Sequence, residues 1–361
     1  MKMEKKRITV VCKHLANGGA ERVMSELITE FVKMGHIVQV IMLYNETEYP
    51  SNIEFEIPSS VEIIEMGWKA DKRVLQAVLR NSELRKVIRG DYIISMLYPA
   101  TEAAIIAGKI RKIPVIVSER NYPKVSPPTK KGRIIRDFMF HFADACVFQT
   151  REAMNYFPDS IRKKGVIIPN PIRQDLPERC LGERKKKIAV VGRLEKQKNH
   201  PMMLRAFKEF IKEYPDYELH IYSRGPLLEE LREYSNTLGI SDKVFFEGFV
   251  ENVNAIIVDY AMYISTSDYE GISNAMLEAL AMGIPTICTD CPVGGAREAI
   301  ENGKNGILIP VRDEAALVKA MKDIAGNPVF AEKLGKEASL IKEKYKIEKV
   351  ASKWIDVLSG I

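Results

Sequence analysis

The chain has 361 residues, of which 46% are hydrophobic and 28% charged, a composition typical of soluble globular proteins. Because a single hydrophobic core stops growing at about 250–300 residues, this length predicts two domains. The net charge of +6 is uneven, with +8 in residues 1–175 and −2 in the remainder, and the basic segments lack the interleaved aromatic residues of nucleic-acid-binding proteins, so no nucleic-acid partner is expected.

Three basic segments, at 69–89, 111–112 and 124–136, are either ordinary solvated surface or a means of binding an anionic membrane surface, and both interpretations stay open. No apolar stretch approaches the roughly 18 residues that span a bilayer, and the N-terminus lacks the long apolar region of a signal peptide. The five scattered cysteines fit a reducing compartment. We expect a cytoplasmic protein, with peripheral attachment to the inner membrane face as an open alternative.

In the first half, short apolar runs alternate with amphipathic helical patterns such as 21–34, which is typical of βα units and a parallel sheet. This half predicts a Rossmann-like domain over residues 1–170. The predicted strands are Ile8–Cys12, Val38–Leu43, Val61–Glu65, Tyr92–Met96, Val115–Ser118, Ala145–Gln149 and Val166–Ile168.

Three prolines and a charge run then interrupt the alternation, which predicts a linker over residues 171–186. A second series over 187–342 predicts another Rossmann-like domain, and the tail from Asp313 predicts three helices ending near Leu358. The two domains should face one another across a cleft, with the ligand at the carboxyl ends of the strands. The predicted strands are Ile188–Val191, Glu218–Tyr222, Val244–Glu247, Met262–Ser265, Thr286–Cys288 and Gly306–Ile309.

Two loops that follow strands could receive phosphate. Gly18 and Gly19 precede a helix whose N–H groups and positive dipole end suit an anion, although a simple tight turn explains them as well. Arg193 and Lys198 follow the first strand of the second domain, where two cations could neutralise a diphosphate leaving group or could merely be solvated loop charges.

A third segment, from Ser267 to Pro285, is the most specific. Ser273 is a candidate N-cap for a helix running to Met282, which places Glu270 in the loop at the helix start and Glu278 in its second turn. A carboxylate accepts two hydroxyl donors, so this pair suits the vicinal hydroxyls of a sugar and of a ribose. A single acid within an otherwise apolar helix argues against an ordinary surface residue.

Four elements in this order and spacing resemble the retaining GT-B glycosyltransferases of family 4: NGGAER, GRLEKQKNH, EGISNAMLEALAMG and CPVGGAREAI. The resemblance covers nearly the whole chain and extends to bacterial enzymes that build capsule, exopolysaccharide or lipid-linked oligosaccharide. It implies transfer of a hexose or N-acetylhexosamine, with retention of configuration, from a nucleotide diphosphate sugar, by resemblance a UDP-sugar, to a saccharide or polyprenyl-linked acceptor. It also implies that a helix over about 343–361 crosses back to the first domain.

The resemblance further implies roles for single residues. Arg193 and Lys198 would bind the donor diphosphate and stabilise its departure, Glu278 would hold the ribose hydroxyls, and Glu270 would contact the donor sugar. Gly18 and Gly19 would contact the diphosphate from the first domain. The backbone near the donor sugar would come from Gly271, Ile272, Ser273 and Asn274.

The chain departs from the family after the fifth strand, where many relatives carry a histidine facing the reacting sugar. Here the sequence is Ser118-Glu119-Arg120-Asn121. We expect Glu119, Arg120 or Asn121 to bind sugar or acceptor hydroxyls, and a structural ion pair is an equal alternative.

No metal or other cofactor is expected, because no Asp-x-Asp pair that could hold Mg²⁺ on a diphosphate occurs in the chain. The Cys288–Cys291 pair lacks the further ligands of a structural zinc site. Two other functions stay open: a nucleotide-sugar epimerase of the same fold, and a non-catalytic nucleotide-sugar-binding partner of another transferase.

Overall fold

The computed structural model describes residues 5–16, 18–44, 53, 55–68 and 74–361, with the side chains of 74–80 excepted. Asn17 of the NGGAER element and part of the basic segment 69–89 therefore lie outside the described residues. The chain forms two compact units, Met1–Pro171 with Ile347–Ile361, and Ile172–Lys346.

The first unit contains a seven-stranded parallel sheet in the order β3-β2-β1-β4-β5-β6-β7. Its central strands are buried along nearly their whole length, because helices cover both faces of a parallel sheet and favour continuous apolar runs. The strands are β1 (Arg7–Cys12), β2 (Ile37–Tyr44), β3 (Glu62–Trp68), β4 (Tyr92–Met96), β5 (Val115–Glu119), β6 (Ala145–Phe148) and β7 (Gly165–Ile167).

The helices of this unit include the C-terminal one, whose Trp354 is fully buried in the same core as Leu27 and Phe31. The prediction that the C-terminal helix returns to the first domain is thereby confirmed. The helices are α1 (Gly19–Lys33), α2 (Val74–Val87), α3 (Ala100–Arg111), α4 (Lys130–Phe140), α5 (Arg151–Asn155), α6 (Asp159–Arg162) and α14 (Ile347–Ser359).

The second unit contains a six-stranded parallel sheet in the order β10-β9-β8-β11-β12-β13. Its strands are β8 (Lys185–Val191), β9 (Glu218–Tyr222), β10 (Val244–Gly248), β11 (Tyr260–Ser265), β12 (Thr286–Thr289) and β13 (Ile307–Ile309). Its helices are α7 (His200–Phe210), α8 (Leu228–Leu238), α9 (Val253–Ile257), α10 (Asn274–Ala281), α11 (Glu314–Gly326), α12 (Pro328–Ser339) and α13 (Ile341–Lys344), with a 3₁₀ turn at Lys196–Lys198.

Both sheets are wound in the same way. In the second unit the chain runs from β8 outward to β10, returns to the other side of β8 with β11, and continues outward to β13. The switch point between β8 and β11 is where ligands bind in doubly wound folds, outside the carboxyl ends of the strands. The prediction of two Rossmann-like domains with parallel sheets is confirmed.

Two local predictions differ from the structure. The tail from Asp313 contains four helices, because the chain breaks at Leu340 and makes the short α13 before α14. Strand β8 begins at Lys185, inside the range predicted as linker. Among the described helices, none has the length and apolar character needed to cross a bilayer.

Candidate active site

Two loops meet at the switch point of the second sheet, one following β8 and the other following β11. The Thr266 hydroxyl donates a hydrogen bond to the Lys198 carbonyl at 2.8 Å, and the Asp268 N–H donates to the Gln197 carbonyl, also at 2.8 Å. These bonds satisfy backbone groups that helix and sheet do not use. They bring together two sequence elements that lie about 70 residues apart.

Lys198 and Glu270 are in direct contact. The Lys198 ammonium lies 2.5 Å from the Glu270 carboxylate, and the Ser267 hydroxyl donates to the same carboxylate oxygen at 3.1 Å. Both charged side chains are mostly buried. An ammonium has three donors, so Lys198 can keep this contact while it binds a further anion.

The backbone that carries Glu270 rests on the segment after β12. The Glu270 N–H donates to the Pro292 carbonyl at 2.7 Å, and the Val293 N–H donates to the Glu270 carbonyl at 3.1 Å. Gly295 lies so close that a Cβ there would be 1.9 Å from the Gly271 carbonyl oxygen. The glycine of the CPVGGAREAI element is therefore needed for this close approach.

Helix α10 begins where the sequence predicts. Ser273 is its N-cap, and its hydroxyl accepts a hydrogen bond from the Met276 N–H. Glu278 is only 7% exposed, although it lies on the second turn of the helix. Its carboxylate accepts a hydrogen bond at 2.9 Å from the Asn254 amide, whose side chain is also buried.

The buried phenol of Tyr263 is affected by the charges of both acids, Glu270 and Glu278. Burial raises the pKa of its phenol well above the ordinary value, and the charges of Glu270 and Glu278 raise it further. Both carboxylates therefore lie within electrostatic reach of one buried phenol, which stays neutral and polar at physiological pH.

Arg193 is the most exposed of the predicted cations. Its side chain is 65% exposed, and its guanidinium lies 3.0 Å from Glu195. Burial raises the pKa of the Tyr269 phenol. The negative charges of Glu195 and Glu270 raise the same pKa further, whereas the positive charge of Arg193 lowers it. Arg193 and Glu270 therefore both act on the Tyr269 phenol. The second unit thus brings Arg193, Lys198, Glu270 and Glu278 to one edge of its sheet.

The predicted phosphate turn of the first unit already has an acid beside it. Gly18 is the N-cap of α1 in an extended conformation, and the Arg22 N–H donates to its carbonyl at 3.0 Å. A Cβ at Gly18 would lie 1.7 Å from a carboxylate oxygen of Glu21. Because Glu21 occupies the positive end of the helix dipole, it would have to turn away before a phosphate could bind there.

Glu119 forms a buried ion pair, and its partner is Arg136. The two groups lie 2.9 Å apart, with Arg136 only 1% exposed. The other carboxylate oxygen accepts from the N–H groups of Arg120 and Asn121, at 3.1 Å each. Burial raises the pKa of Glu119, and Arg136 opposes that rise. The geometry matches the structural alternative for Glu119, and its predicted role in hydroxyl binding stays a prediction.

Arg120 is also buried. Its guanidinium donates to the side-chain amide oxygen of Asn170 and, at 3.4 Å, to the Ser118 hydroxyl. Burial lowers its pKa to about 10, so the group stays charged at neutral pH. Since the Gln149 amide donates to the same Asn170 oxygen at 2.7 Å, Arg120 belongs to a polar network at the carboxyl ends of β5 and β6.

Sequence reasoning missed several of these residues. Asn254 lies on α9, whereas its partner Glu278 lies on α10, and Tyr263 lies on β11. Only the folded chain brings these residues together. Arg136 was counted within a basic surface segment, although it is buried. After β10, Phe249 is 60% exposed with the Arg224 guanidinium 5.4 Å from its ring centre, an arrangement that the sequence did not signal.

Within the described residues, no cluster of three or more His, Cys, Asp or Glu side chains could hold a metal ion. The thiols of Cys288 and Cys291 are buried, and burial raises the pKa of Cys291 to about 12. Metal independence of the chemistry stays a prediction.

Comparison with known proteins assigns both halves of the chain. Residues 17–176 match the model described as Glycosyltransferase Family 4, and residues 185–327 match the model described as Glycosyl transferases group 1. A relative in Campylobacter jejuni is 27% identical, over 98% of this chain and 99% of its own length. It is named GalNAc-alpha-(1->4)-GalNAc-alpha-(1->3)-diNAcBac-PP-undecaprenol alpha-1,4-N-acetyl-D-galactosaminyltransferase.

Solved structures show the same fold. Anabaena HepE in complex with UDP-glucose aligns over 99% of this chain and 100% of its own, with 15% identity and a TM-score of 0.79. The pneumococcal O-GlcNAc transferase GtfA in complex with UDP and GlcNAc aligns over 99% of both chains, with 14% identity and a TM-score of 0.80. The prediction of a GT-B fold is confirmed.

Proposed function

Because the chain belongs to the glycosyltransferases of family 4, we propose that it transfers a hexose or N-acetylhexosamine from a UDP-sugar to a saccharide or polyprenyl-linked saccharide acceptor. Its enzyme class is established by the family, whereas the donor, the acceptor and retention of configuration are proposals. One observation carries the proposed binding of a nucleotide diphosphate sugar: the contact between Lys198 and Glu270 at the switch point of the second sheet.

That contact joins a cation and an acid where a diphosphate sugar needs both. The Lys198 ammonium can hold a phosphate oxygen with its remaining donors, and Arg193 can add a second cation from the same loop. We expect Glu270 to accept a hydrogen bond from a hydroxyl of the sugar beside that phosphate. The carboxylate of Glu278 is buried and lies one helical turn into α10. We propose that it accepts hydrogen bonds from the ribose hydroxyls.

In the proposed reaction, the bond between the anomeric carbon and the diphosphate oxygen breaks, and a bond forms between that carbon and the acceptor oxygen. The leaving UDP takes up the proton of the acceptor hydroxyl on the same face of the sugar, which gives retention. Lys198 and Arg193 stabilise the charge that develops on the diphosphate. We propose that these cations take the place of a metal ion.

The uracil base has a candidate platform on neighbouring loops. Phe249 follows β10 and Arg224 follows β9, both at the carboxyl edge of the sheet that carries Lys198. An exposed aromatic ring next to a guanidinium suits stacking with a base. UDP is the nucleotide in the structures of HepE and GtfA, which supports UDP as the nucleotide here.

The acceptor is proposed from the relatives. The Campylobacter jejuni enzyme is named for an undecaprenol-linked saccharide, and a Bacillus subtilis relative, 27% identical over 63% of this chain and 35% of its own length, is named poly(glycerol-phosphate) alpha-glucosyltransferase. One name states a lipid-linked saccharide and the other a polymer. We propose that this enzyme works in the cytoplasm on an acceptor at the inner membrane face. We propose further that Glu119, Arg120 and Asn121 bind the acceptor or the transferred sugar.

The test is a transfer assay with the full chain. Thermal shifts against a panel of nucleotide sugars identify the donor, because a ligand that binds the native state raises its melting temperature. The selected donor is then incubated with polyprenyl-linked and soluble saccharides, and the anomeric configuration of the product is read by NMR. An α-linked product from an α-linked donor supports the proposal, and a β-linked product contradicts retention.

The same assay separates the alternatives. An epimerase would convert the donor sugar when no acceptor is present. A non-catalytic partner would bind UDP tightly and show no turnover across the acceptor panel.

A further inference from the structure

The first sheet has a switch point of its own, between β1 and β4. The chain moves outward from β1 to β3 and then returns to the other side of β1 with β4. Ligands of doubly wound sheets bind beside such a point, outside the carboxyl ends of the strands. The turn after β4, residues 97–99, and the first turn of α3 lie at this edge. The proposed transfer uses none of the residues in these two turns.

The backbone of the turn after β4 is strained. Leu97 has a φ of 69°, a conformation that residues with a side chain rarely adopt. Its carbonyl accepts a hydrogen bond from the Thr101 N–H at 3.3 Å, which ties the turn to the start of α3. The next residue, Tyr98, is 42% exposed. Strained positions of this kind concentrate at ligand-binding sites, so the turn is a candidate for one.

A small cavity adjoins this turn. Its volume is about 20 Å³, which is enough for one group of the size of a water molecule. Side chains from the turn, from α3, from the end of β5 and from α4 contribute to its wall. The lining residues include the polar Tyr98, Thr101, Ser118 and Glu119 and the apolar Leu97 and Phe140.

Glu102, one residue after Thr101, has a carboxylate oxygen without a hydrogen bond. The Thr101 hydroxyl donates to Glu102 Oε2 at 3.2 Å, whereas Glu102 Oε1 is buried and accepts no hydrogen bond from the described residues. A buried polar atom without a hydrogen bond is costly and requires an explanation. A ligand that donates to Oε1 would supply the missing bond.

Glu102 interacts electrostatically with residues of the cavity wall. Burial raises the pKa of the Tyr98 phenol, and the charge of Glu102 raises it further. Burial also raises the pKa of Glu102 itself, to about 7. Among the smaller effects on that carboxyl, the positive charge of Arg136 lowers its pKa and the negative charge of Glu119 raises it. The acid therefore lies within electrostatic reach of three lining residues.

Of the two acids Glu102 and Glu119, only Glu102 has an oxygen that is available to a ligand. One oxygen of Glu119 accepts from Arg136, and the other accepts from the N–H groups of Arg120 and Asn121. The Glu119 carboxylate is thus already used inside the fold. A new hydrogen bond at this edge of the sheet is easier to form at Glu102.

We propose that the β4 turn, defined here as Leu97, Tyr98, Thr101 and Glu102, binds the terminal sugar of the acceptor. One donor of that sugar, a hydroxyl or an acetamido N–H, forms a hydrogen bond to Glu102 Oε1, and the ring of Tyr98 packs against the apolar face of the sugar. Because Oε1 is buried, side chains of the turn move as the sugar enters. The inference rests on the proposed function, since it names residues that hold the acceptor of that reaction.

A saccharide fits the β4 turn better than a phosphate does. A carboxylate accepts hydrogen bonds from hydroxyl and N–H groups, whereas it repels another anion. Tyrosine combines an apolar ring with a polar hydroxyl. This combination matches a sugar, which has an apolar face and a rim of hydroxyl groups.

The first experiment compares the acceptor kinetics of wild type and Glu102→Gln with saturating donor at about pH 8, where the Glu102 carboxyl is charged. We expect the variant to raise the KM for the acceptor by about tenfold and to change kcat less, because an amide accepts a weaker hydrogen bond than a carboxylate. The control Asp356→Asn removes an exposed acid from α14 of the same unit and should behave as the wild type. An unchanged acceptor KM in Glu102→Gln would overturn the proposal.

The second experiment asks whether Glu102 touches the sugar. Acceptors that each lack one hydroxyl, and acceptors that carry a hydroxyl in place of an acetamido group, are assayed with wild type and with Glu102→Gln. The acceptor that lacks the bound donor should raise the KM of wild type by about tenfold and have little further effect in the variant, because both changes remove the same bond. If the two losses multiply for every acceptor, Glu102 does not contact the sugar and the proposal is wrong.

The third experiment tests the ring of Tyr98. Tyr98→Ala should raise the acceptor KM by about threefold to tenfold, and Tyr98→Phe should raise it less, because phenylalanine keeps the apolar ring surface. The control is Phe142→Ala, which removes another partly exposed ring of the first unit, 45% exposed, and should leave this KM unchanged. Equal losses in Tyr98→Ala and Phe142→Ala would contradict a specific contact with the sugar.

Folding and donor binding are measured separately in every variant. Melting temperatures check the fold, and calorimetric titration should give an unchanged dissociation constant for UDP, because the proposed donor residues belong to the second unit. A weaker affinity for UDP in Glu102→Gln would indicate a general disturbance and overturn the assigned role. Wild type without turnover on any acceptor would refute the proposed function and this inference with it. Turnover by wild type with an unchanged acceptor KM in Glu102→Gln would refute the inference alone.

Discussion

Among single residues, Glu270 is held through both its side chain and its backbone. Its carboxylate is held by Lys198 and Ser267, and its backbone by Pro292 and Val293. These bonds fix the backbone and one carboxylate oxygen before substrate binds, and such preorganisation favours transition-state stabilisation.

We predict that Glu270→Gln lowers kcat/KM by about a hundredfold, because a neutral amide accepts a weaker hydrogen bond from the sugar hydroxyl. The size of the side chain is unchanged, so any fall in melting temperature reports the lost ion pair with Lys198. Steady-state kinetics with the identified donor measure the effect. Glu233→Gln, an exposed acid of α8, is the control. Full activity in Glu270→Gln would remove Glu270 from the mechanism.

Asn254 is proposed as a positioning residue for Glu278, since its amide donates directly to that carboxylate. We predict that Asn254→Ala raises the KM for the donor by about tenfold with a smaller change in kcat, because it leaves a buried carboxylate without this donor. Asn236→Ala, in an exposed position of α8, is the control. A fall in kcat with unchanged KM would contradict a role in binding ribose.

The sequence identified the acids and cations of the site because their chemistry is recognisable in a motif. It could not identify Asn254, which belongs to a different element and has no motif of its own. Arg136 shows the opposite limit: its positive charge suggested a surface position, but Glu119, 17 residues earlier, supplies a buried partner.

At the scale of elements, the segment after β12 supports the loop that carries Glu270. We predict that Gly295→Ala destabilises the protein by about 1–3 kcal/mol and reduces transfer, because its Cβ would collide with the Gly271 carbonyl. Chemical denaturation and the transfer assay measure the two effects. Gly182→Ala is the control, since nothing lies within 4 Å of the added carbon. An unchanged Gly295→Ala would show that this close approach is dispensable.

The first turn of α3 contains an acid with an unusual titration. Burial raises the pKa of Glu102 to about 7, so the folded protein holds this proton where the unfolded chain has lost it. The contribution of Glu102 to the free energy of unfolding is therefore present at about pH 4 to 5. It is lost, by up to about 3 kcal/mol, as the pH rises through about 7. We predict that Glu102→Gln, which resembles the protonated form, stabilises the protein above about pH 7.5 and has little effect at about pH 4.5.

Urea denaturation of wild type and Glu102→Gln across this pH range measures the difference. The exposed Glu233→Gln should show no comparable gain at high pH. A constant difference between wild type and Glu102→Gln at every pH would contradict the raised pKa.

Most strands were predictable because buried parallel strands are continuous apolar runs. Tyr92–Met96 and Glu218–Tyr222 were predicted with their observed bounds. The start of β8 was not predictable, because its lysines resembled a linker. In the structure Lys185 pairs with Asp259 and Lys186 with Asp216, so acids distant in the sequence balance the charge run.

At the scale of the whole molecule, two sheets of the same winding come from two halves of one chain, and the halves differ in charge. The second half brings the predicted donor residues together at its switch point, whereas the first half carries the positive excess. The alternation of strands and helices was sufficient to predict this organisation.

If Lys198 and its neighbours hold the diphosphate of a UDP-sugar, Lys198 should contribute to the affinity for UDP, and calorimetric titration of UDP into the full chain measures that contribution. We predict that wild type and the exposed control Lys333→Met bind UDP with the same dissociation constant, and that Lys198→Met binds it about tenfold to a hundredfold more weakly, because a charged hydrogen bond is lost. Equal affinity of wild type and Lys198→Met for UDP would show that Lys198 does not hold the diphosphate.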